Sequence, residues 1–329
     1  MNNLKSKTNI VVSCWNALEH TKITLERLFE TVHHEYVLTV VNNNSTDGTK
    51  EYLEKIQKPK ECEKIVIINN QENLGAGEAI NQGHAISVKF KIKYTCLCNN
   101  DLYFKDNWLL DMENEMEKDS NLGILGTLRP AVEVRHHLSS ENTKVVVDST
   151  PKNLSIAEEL RYFQGEDDFD NSIKKVIEIN GGGIDYLRCP PNAVITCCAI
   201  VRTDVSDKIG FLSDPQFKIY GSEDLDLSWR LSKHNYKCAI LKSVYVHHFR
   251  HRSINKSNLD REKYLLENNI KFLNKWKKEI YEFLDLEKKG GIDIYKELGE
   301  NGNPEYLFLK MINSKTQFVI EYNNQKHHE

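Results

Sequence analysis

The feature that most constrains this chain is a repeated alternation of strand and helix signals over roughly its first hundred residues. Asn9–Ser13 ("NIVVS") is a short β-branched run. Thr21–Thr31 then sets Ile23, Leu25, Leu28 and Phe29 along one helical stripe, with Thr21 at the cap position. Leu38–Val41 is a second strand, and a helix opens behind Ser45, Asp47 and Gly48, where Asp47 can accept first-turn N–H groups. Lys64–Ile68 leads to a helix over Ala76–Phe90, and Tyr94–Cys98 leads to one through Trp108 and Met112. Such alternation predicts an α/β fold, a mostly parallel sheet with helices on both faces. Sheets of this kind bind ligands at the carboxyl ends of their strands. Asn42-Asn43-Asn44 and Asn99-Asn100-Asp101 both fall at such ends. A polar turn explains either one alone; their convergence argues for a site.

Farther along, the pattern weakens. Residues 126–183 mix short β runs such as Lys144–Val147, an acidic tract over Glu166–Asp170 and the glycines Gly181–Gly183. They read as a variable, loop-rich insertion, the kind of segment where substrate specificity often lives. Ala193–Val201 is again strongly apolar. From Arg261 to Phe283 a helical tail carries Leu265, Ile270, Leu273, Trp276 and Ile280 on one face. That face suits docking on the main domain, a second copy of the chain or a membrane surface. The expected division is a catalytic domain over 1–253 and a helical C-terminal extension over 254–329.

The formal net charge of −4 gives no electrostatic reason for a nucleic-acid partner. No apolar run reaches membrane-spanning length and the first residues lack a signal-peptide core, so a cytoplasmic protein is expected, peripheral to a membrane at most. The eight cysteines then read as free thiols, most of them in apolar runs and none at zinc spacing.

Five stretches carry the chemistry: "VVSCWNALEHTKITLERLF", "VVNNNSTDGT", "NQENLGAGEAINQGHAI", "CLCNNDLYF" and "IGFLSDPQFKIYGSEDLDLSWRLSKHNYKCAILKSVYVHHFRHRS". In this order they resemble family two glycosyltransferases of the GT-A (Rossmann-like) fold, inverting enzymes that use nucleotide-diphosphate sugars. The resemblance runs from about Asn9 to Ser253 and is weakest between Gly126 and Gly183.

The resemblance implies a site. Asn99-Asn100-Asp101 takes the place of the family's Asp-x-Asp motif, so Asp101 is the expected ligand of Mn2+ or Mg2+, with Asn99 and Asn100 beside the donor. Such ions take hard oxygen ligands and offset charge on the departing diphosphate. His247 is expected as a further metal contact, with His248 and His251 as alternates. A loop gripping phosphate with Arg250 and Arg252 reads almost equally well. Asp224 of "YGSEDLDLSW" takes the general-base position, with Glu223 beside it. Asn42 stands where the family usually has a base-reading Asp. An amide there favours UDP or dTDP, since it can pair with the uracil or thymine edge. Ser13, Trp15, Asn44, Asn73, Gly75 and Asn81 are expected around the nucleotide sugar. Gly75 offers close backbone approach at a helix start that can face phosphate. Arg230 either holds phosphate or pairs with an acid one turn back. The acceptor would be a glycan, a lipid-linked molecule or a protein. Two alternatives are a silent nucleotide-sugar binding module and a sugar-1-phosphate nucleotidyltransferase. The latter would need Gly and Arg in the first loop, and "SCWNALEHT" has neither.

Overall fold

The computed structural model describes residues 4–128, 154–164, 168–190, 192–249 and 259–290. Within them the strands are β1 (Thr8–Cys14), β2 (Tyr36–Asn42), β3 (Cys62–Asn69), β4 (Tyr94–Asn99), β5 (Leu102–Phe104), β6 (Leu122–Leu128), β7 (Ile184–Leu187), β8 (Cys198–Arg202) and β9 (Lys237–His248). They form one sheet in the order β3-β2-β1-β4-β8-β6-β9-β5, with β7 also on β9. β3, β2, β1 and β4 run parallel, as the alternation predicts. β8 then enters antiparallel to β4. The strand order reverses at β1, the place where open α/β sheets leave a crevice.

The helices are α1 (Leu18–Thr31), α2 (Thr49–Leu53), α3 (Ala76–Phe90), α4 (Trp108–Lys118), α5 (Ile156–Gln164), α6 (Phe169–Ile179), α7 (Ser206–Ile209), α8 (Glu223–Lys233), α9 (Arg261–Lys275) and α10 (Lys277–Lys288). Side chains alternate along a strand, and β1 shows how this builds two core layers. Ile10, Val12 and Cys14 pack with Leu25 and Leu28 of α1 and Trp108 and Met112 of α4. Val11 faces the other way, toward Ala79 and Ile80 of α3. Gly83 lets α3 approach that closely, since a Cβ there would stand 2.1 Å from Val11 Cγ1.

Three expectations change. α1 starts at Leu18, so Thr21 lies inside the helix, its hydroxyl donating to the Ala17 carbonyl at 3.2 Å. Asp47 does accept the Thr49 N–H at the start of α2, at 3.3 Å on Oδ1, but it serves α1 as well, its Oδ2 accepting the Leu18 N–H at 2.8 Å. The segment read as loop-rich holds α5 and α6, and α6 buries Phe169, Ile173 and Val176 in the core. The 144–147 run lies outside the described residues, as do residues 250–252 and 291–329.

The tail breaks into two helices at Trp276. Phe272, Leu273, Trp276 and Ile280 share one core cluster with Trp229 and Leu231 of α8, whereas Ile270 is about half exposed. Among the described residues no helix is long and apolar enough to cross a membrane. All eight cysteines are buried free thiols.

Candidate active site

The parallel register gathers the polar strand ends on one edge. Ser13 lies opposite Asn99, Cys14 opposite Asn42, and Asn42 opposite Asn69. Half-buried Trp15 follows, then Asn16 and Ala17 at φ 56° and 60°, a left-handed pair that turns the chain directly into α1. Asn16 organises this edge. Its N–H donates to Ser45 Oγ (2.8 Å), its Oδ1 accepts the Thr46 N–H (2.9 Å), and its carbonyl accepts Asn100 Nδ2 (2.9 Å). Asn100 also donates to Thr21 Oγ1 at 2.8 Å, so this buried amide braces the loops.

Asp101 meets a histidine. Leu102 pairs with His248 across β5 and β9, and the Phe249 N–H donates to the Asp101 carbonyl at 3.0 Å. Neighbouring strand residues face opposite sides, and here His248 is the one that reaches Asp101, Nε2 to Oδ1 at 3.1 Å. His247 turns the other way, with Nε2 3.2 Å from Glu159 Oε1 and Nδ1 3.3 Å from the Tyr245 hydroxyl. The expectation that His247 stands beside Asp101 is therefore corrected: the side chain there is His248, one of the alternates. Asn99 Nδ2 lies 3.3 Å from the same His248 Nε2. Burial opposes a charge on His248, but the adjacent Asp101 carboxylate, with Cys197 alongside, prevails and pushes the imidazole up to about 10.

Whether a divalent cation fits here is decided by the donor set. One carboxylate oxygen and one imidazole nitrogen converge, and among the described residues no group of three or more metal-ligating side chains forms a cage. The His248 nitrogen can donate only after it gives up its proton, and the two protein donors then left suit a cation that takes its remaining oxygens from phosphate and water.

Asp224, the second residue of α8, is held by Thr196. Its Oδ1 accepts the Thr196 N–H at 3.0 Å and also the Thr196 hydroxyl. One residue on, the Cys197 carbonyl accepts the Asn99 N–H at 2.9 Å. The segment Thr196–Cys197 thus ties Asp224 to the strand end that carries Asp101. Beside Asp224, the Glu223 carboxyl is pushed up to about 8, by burial first and then by the Asp224 charge. A carboxyl raised in this way keeps its proton near neutral pH.

Several expected ligand contacts are spent inside the fold. Arg230 donates to Asp226 Oδ2 at 2.6 Å and to the carbonyls of Ile209, Phe211 and Leu212 at 3.2, 2.5 and 2.8 Å, which is the acid-pairing alternative and not a phosphate grip. Fully buried Asp226 also accepts Trp276 Nε1 at 2.9 Å and pairs with Lys275 at 2.5 Å. Asn81 clamps the Ser213 backbone, donating to its carbonyl at 2.8 Å and accepting its N–H at 3.0 Å. Asn73 accepts the Gly75 N–H at 2.9 Å. Gly75, at φ 88°, does allow a close approach, but to the chain itself: a Cβ would stand 2.5 Å from Ile219 Cα. Buried Asn42 donates to Asn69 Oδ1 at 2.9 Å and accepts the Ser45 N–H at 3.1 Å. Asn44 is exposed at φ 57°.

The family model "Glycosyl transferase family 2" matches residues 9–209, more than half of the chain. The chain belongs to this family. As a family 2 glycosyltransferase it carries the GT-A fold. It is 26% identical over 119 residues to an uncharacterized glycosyltransferase of Haemophilus influenzae, covering 36% of this chain and 35% of that protein. The chain therefore aligns with only about a third of that relative's length. A crystal structure of GalNAc-T7 with UDP, GalNAc and Mn2+ superposes with TM-score 0.53 at 14% identity, covering 98% of this glycosyltransferase and 55% of the other chain. The mannosyltransferase PcManGT of Pyrobaculum calidifontis, with GDP-Man and Mn2+, gives 0.52 at 11%, covering 98% and 75%. At these identities the likeness is one of fold.

Sequence reasoning missed Thr196, which looks like any residue ahead of a core strand, and Asn268, described below. Asn268 had a signal: it is an amide on the helical stripe that holds Phe272 and Trp276.

Proposed function

We propose that this glycosyltransferase is inverting and metal-dependent, moving a sugar from a nucleotide-diphosphate donor to an acceptor hydroxyl with Asp224 as general base. The observation that carries the reading is the pair of carboxylates, Asp101 and Asp224, joined to one strand end through Thr196–Cys197. The acceptor hydroxyl attacks C1 of the sugar and Asp224 takes its proton, while the diphosphate leaves from the opposite face. Thr196 fixes Asp224 Oδ1, so the carboxylate does not need to be ordered as the reaction proceeds. Protonated Glu223 is a hydrogen-bond donor beside it, suited to an oxygen of sugar or acceptor. Asp101 and His248 would hold Mn2+ or Mg2+, which when bound neutralises charge on the diphosphate leaving group.

Asn42, out of solvent and already paired with Asn69 and Ser45, has no base-reading role in this proposal. The UDP or dTDP preference inferred from its sequence position lapses with that role, and the donor is assigned only as a nucleotide-diphosphate sugar.

Asp224→Asn is expected to fold and to bind nucleotide as the wild type does, while turnover falls by about 10²–10⁴-fold, the usual yield of a positioned base. Release of nucleoside diphosphate from a donor panel measures it. Near-wild-type turnover would move the base elsewhere, with Glu223 the next candidate.

A further inference from the structure

We propose that α9 is a working part of the active site, in which Asn268 is a positioning residue that holds the 214–222 loop and, through it, Asp224. The inference rests on the reading of Asp224 as base. The loop is strained where it enters α8. Ile219, Gly221 and Ser222 have φ of 62°, 97° and 72°, and the next two residues are Glu223 and Asp224. A β-branched residue resists positive φ, and such backbone persists only where its surroundings over-determine it, most often at functional sites.

Asn268 supplies that constraint from one side. Only 1% exposed, it donates from Nδ2 to the carbonyls of Lys218 (2.7 Å) and Tyr220 (2.9 Å) and accepts the Lys218 N–H (3.3 Å). Its amide therefore brackets Ile219. Asn269 Oδ1 accepts the Ser222 hydroxyl at 3.1 Å, and Lys271 donates to the Gln216 carbonyl at 2.9 Å. On the opposite side Ile219 bridges to Gly75, at the start of α3. The loop is thus pinned between the helix start on the donor side and the C-terminal helix. These bonds are not what fastens α9 to the domain. Phe272 and Leu273, with Trp276 at the helix end, do that through the core. The amide of Asn268 is aimed at the loop.

The test compares Asn268→Ala with Leu273→Ala, a core substitution on the same helix, by hydrogen-exchange mass spectrometry and turnover. Activity is followed as nucleoside diphosphate released by water from the best of a panel of UDP-, dTDP-, GDP- and CDP-sugars with Mn2+. For Asn268→Ala, amides 218–224 should exchange at least about tenfold faster while β1–β4 keep their protection. The kcat should fall at least about tenfold with donor KM within about twofold. In an Asp224→Asn background the same substitution should cost less than about a further twofold, because its effect passes through Asp224. Should the alanine variant not fold, Asn268→Asp, which keeps the shape but sets a carboxylate against two carbonyls, is expected to give the same pattern. Unchanged exchange over 218–224 overturns the proposal, as does an equal kcat loss in Leu273→Ala or a fully multiplicative loss in the double variant. If Asp224→Asn alone keeps full turnover, or no donor is turned over, the base assignment fails by itself. The exchange data then decide whether Asn268 holds the loop.

Discussion

At the mouth of β4 the side chain that meets Asp101 is His248, and this pairing can be tested one residue at a time. Asp101→Ala and His248→Gln should each abolish the gain in nucleotide affinity that Mn2+ confers, read by calorimetric titration with and without the ion. His247→Gln should keep the gain, because that imidazole is turned toward Glu159. The reverse pattern would restore His247 as the metal contact. Glu223 makes a prediction about stability. Its carboxyl, ordinarily near 4.5, is held up to about 8 in the folded chain. Between those values the native state keeps a proton that the unfolded chain has released. Stability therefore declines as pH rises through that window and levels off above it. Thermal melts between about pH 5 and pH 8.5 should show a steeper fall in Tm for the wild type than for Glu223→Gln. Equal slopes would mean that Glu223 is ionised throughout.

At the level of elements, α3 lies on β1 only because residue 83 has no side chain. Gly83→Ala should cost about 1–3 kcal/mol, the range for forcing a methyl into a filled core, read as a lowered urea midpoint. An unchanged midpoint would mean that α3 can shift outward without loss. Elements of this kind were legible in the sequence: the β-branched runs and the expected helix over Ala76–Phe90 each became a strand or a helix near the expected bounds. What decided side-chain direction was not legible. His247 and His248 are neighbours in one motif, and only the register of β5 on β9 shows which one meets Asp101. Arg230 and Asn81 have the right residue types for holding a nucleotide, but beyond the Asp226 pairing that the sequence offered for Arg230, their partners are backbone groups of residues 209–213, remote in sequence and brought near by folding. Gly75 was read correctly as a place of close approach, and its neighbour proved to be Ile219 of the chain itself.

For the whole molecule, α9 and α10 send side chains into the same core as the sheet. Ending the chain after Leu259 would remove Phe272, Leu273, Trp276 and Ile280 from the core and leave buried Asp226 without Lys275 and Trp276. Four large apolar side chains at about 1.5–3 kcal/mol each rival the whole net stability of a typical domain. Such a truncation should give no cooperative thermal transition by circular dichroism, and a sharp melt would show that the sheet stands alone. The strap across the 214–222 loop also has a consequence in time. A ribosome delivers the four parallel strands first and Asp224 later, and Asn268 follows a few seconds after that at usual synthesis rates. During that interval the sheet lacks part of its core and the loop in front of Asp224 lacks its brace. On this reading a chain that has not yet delivered α9 carries an Asp224 that nothing braces.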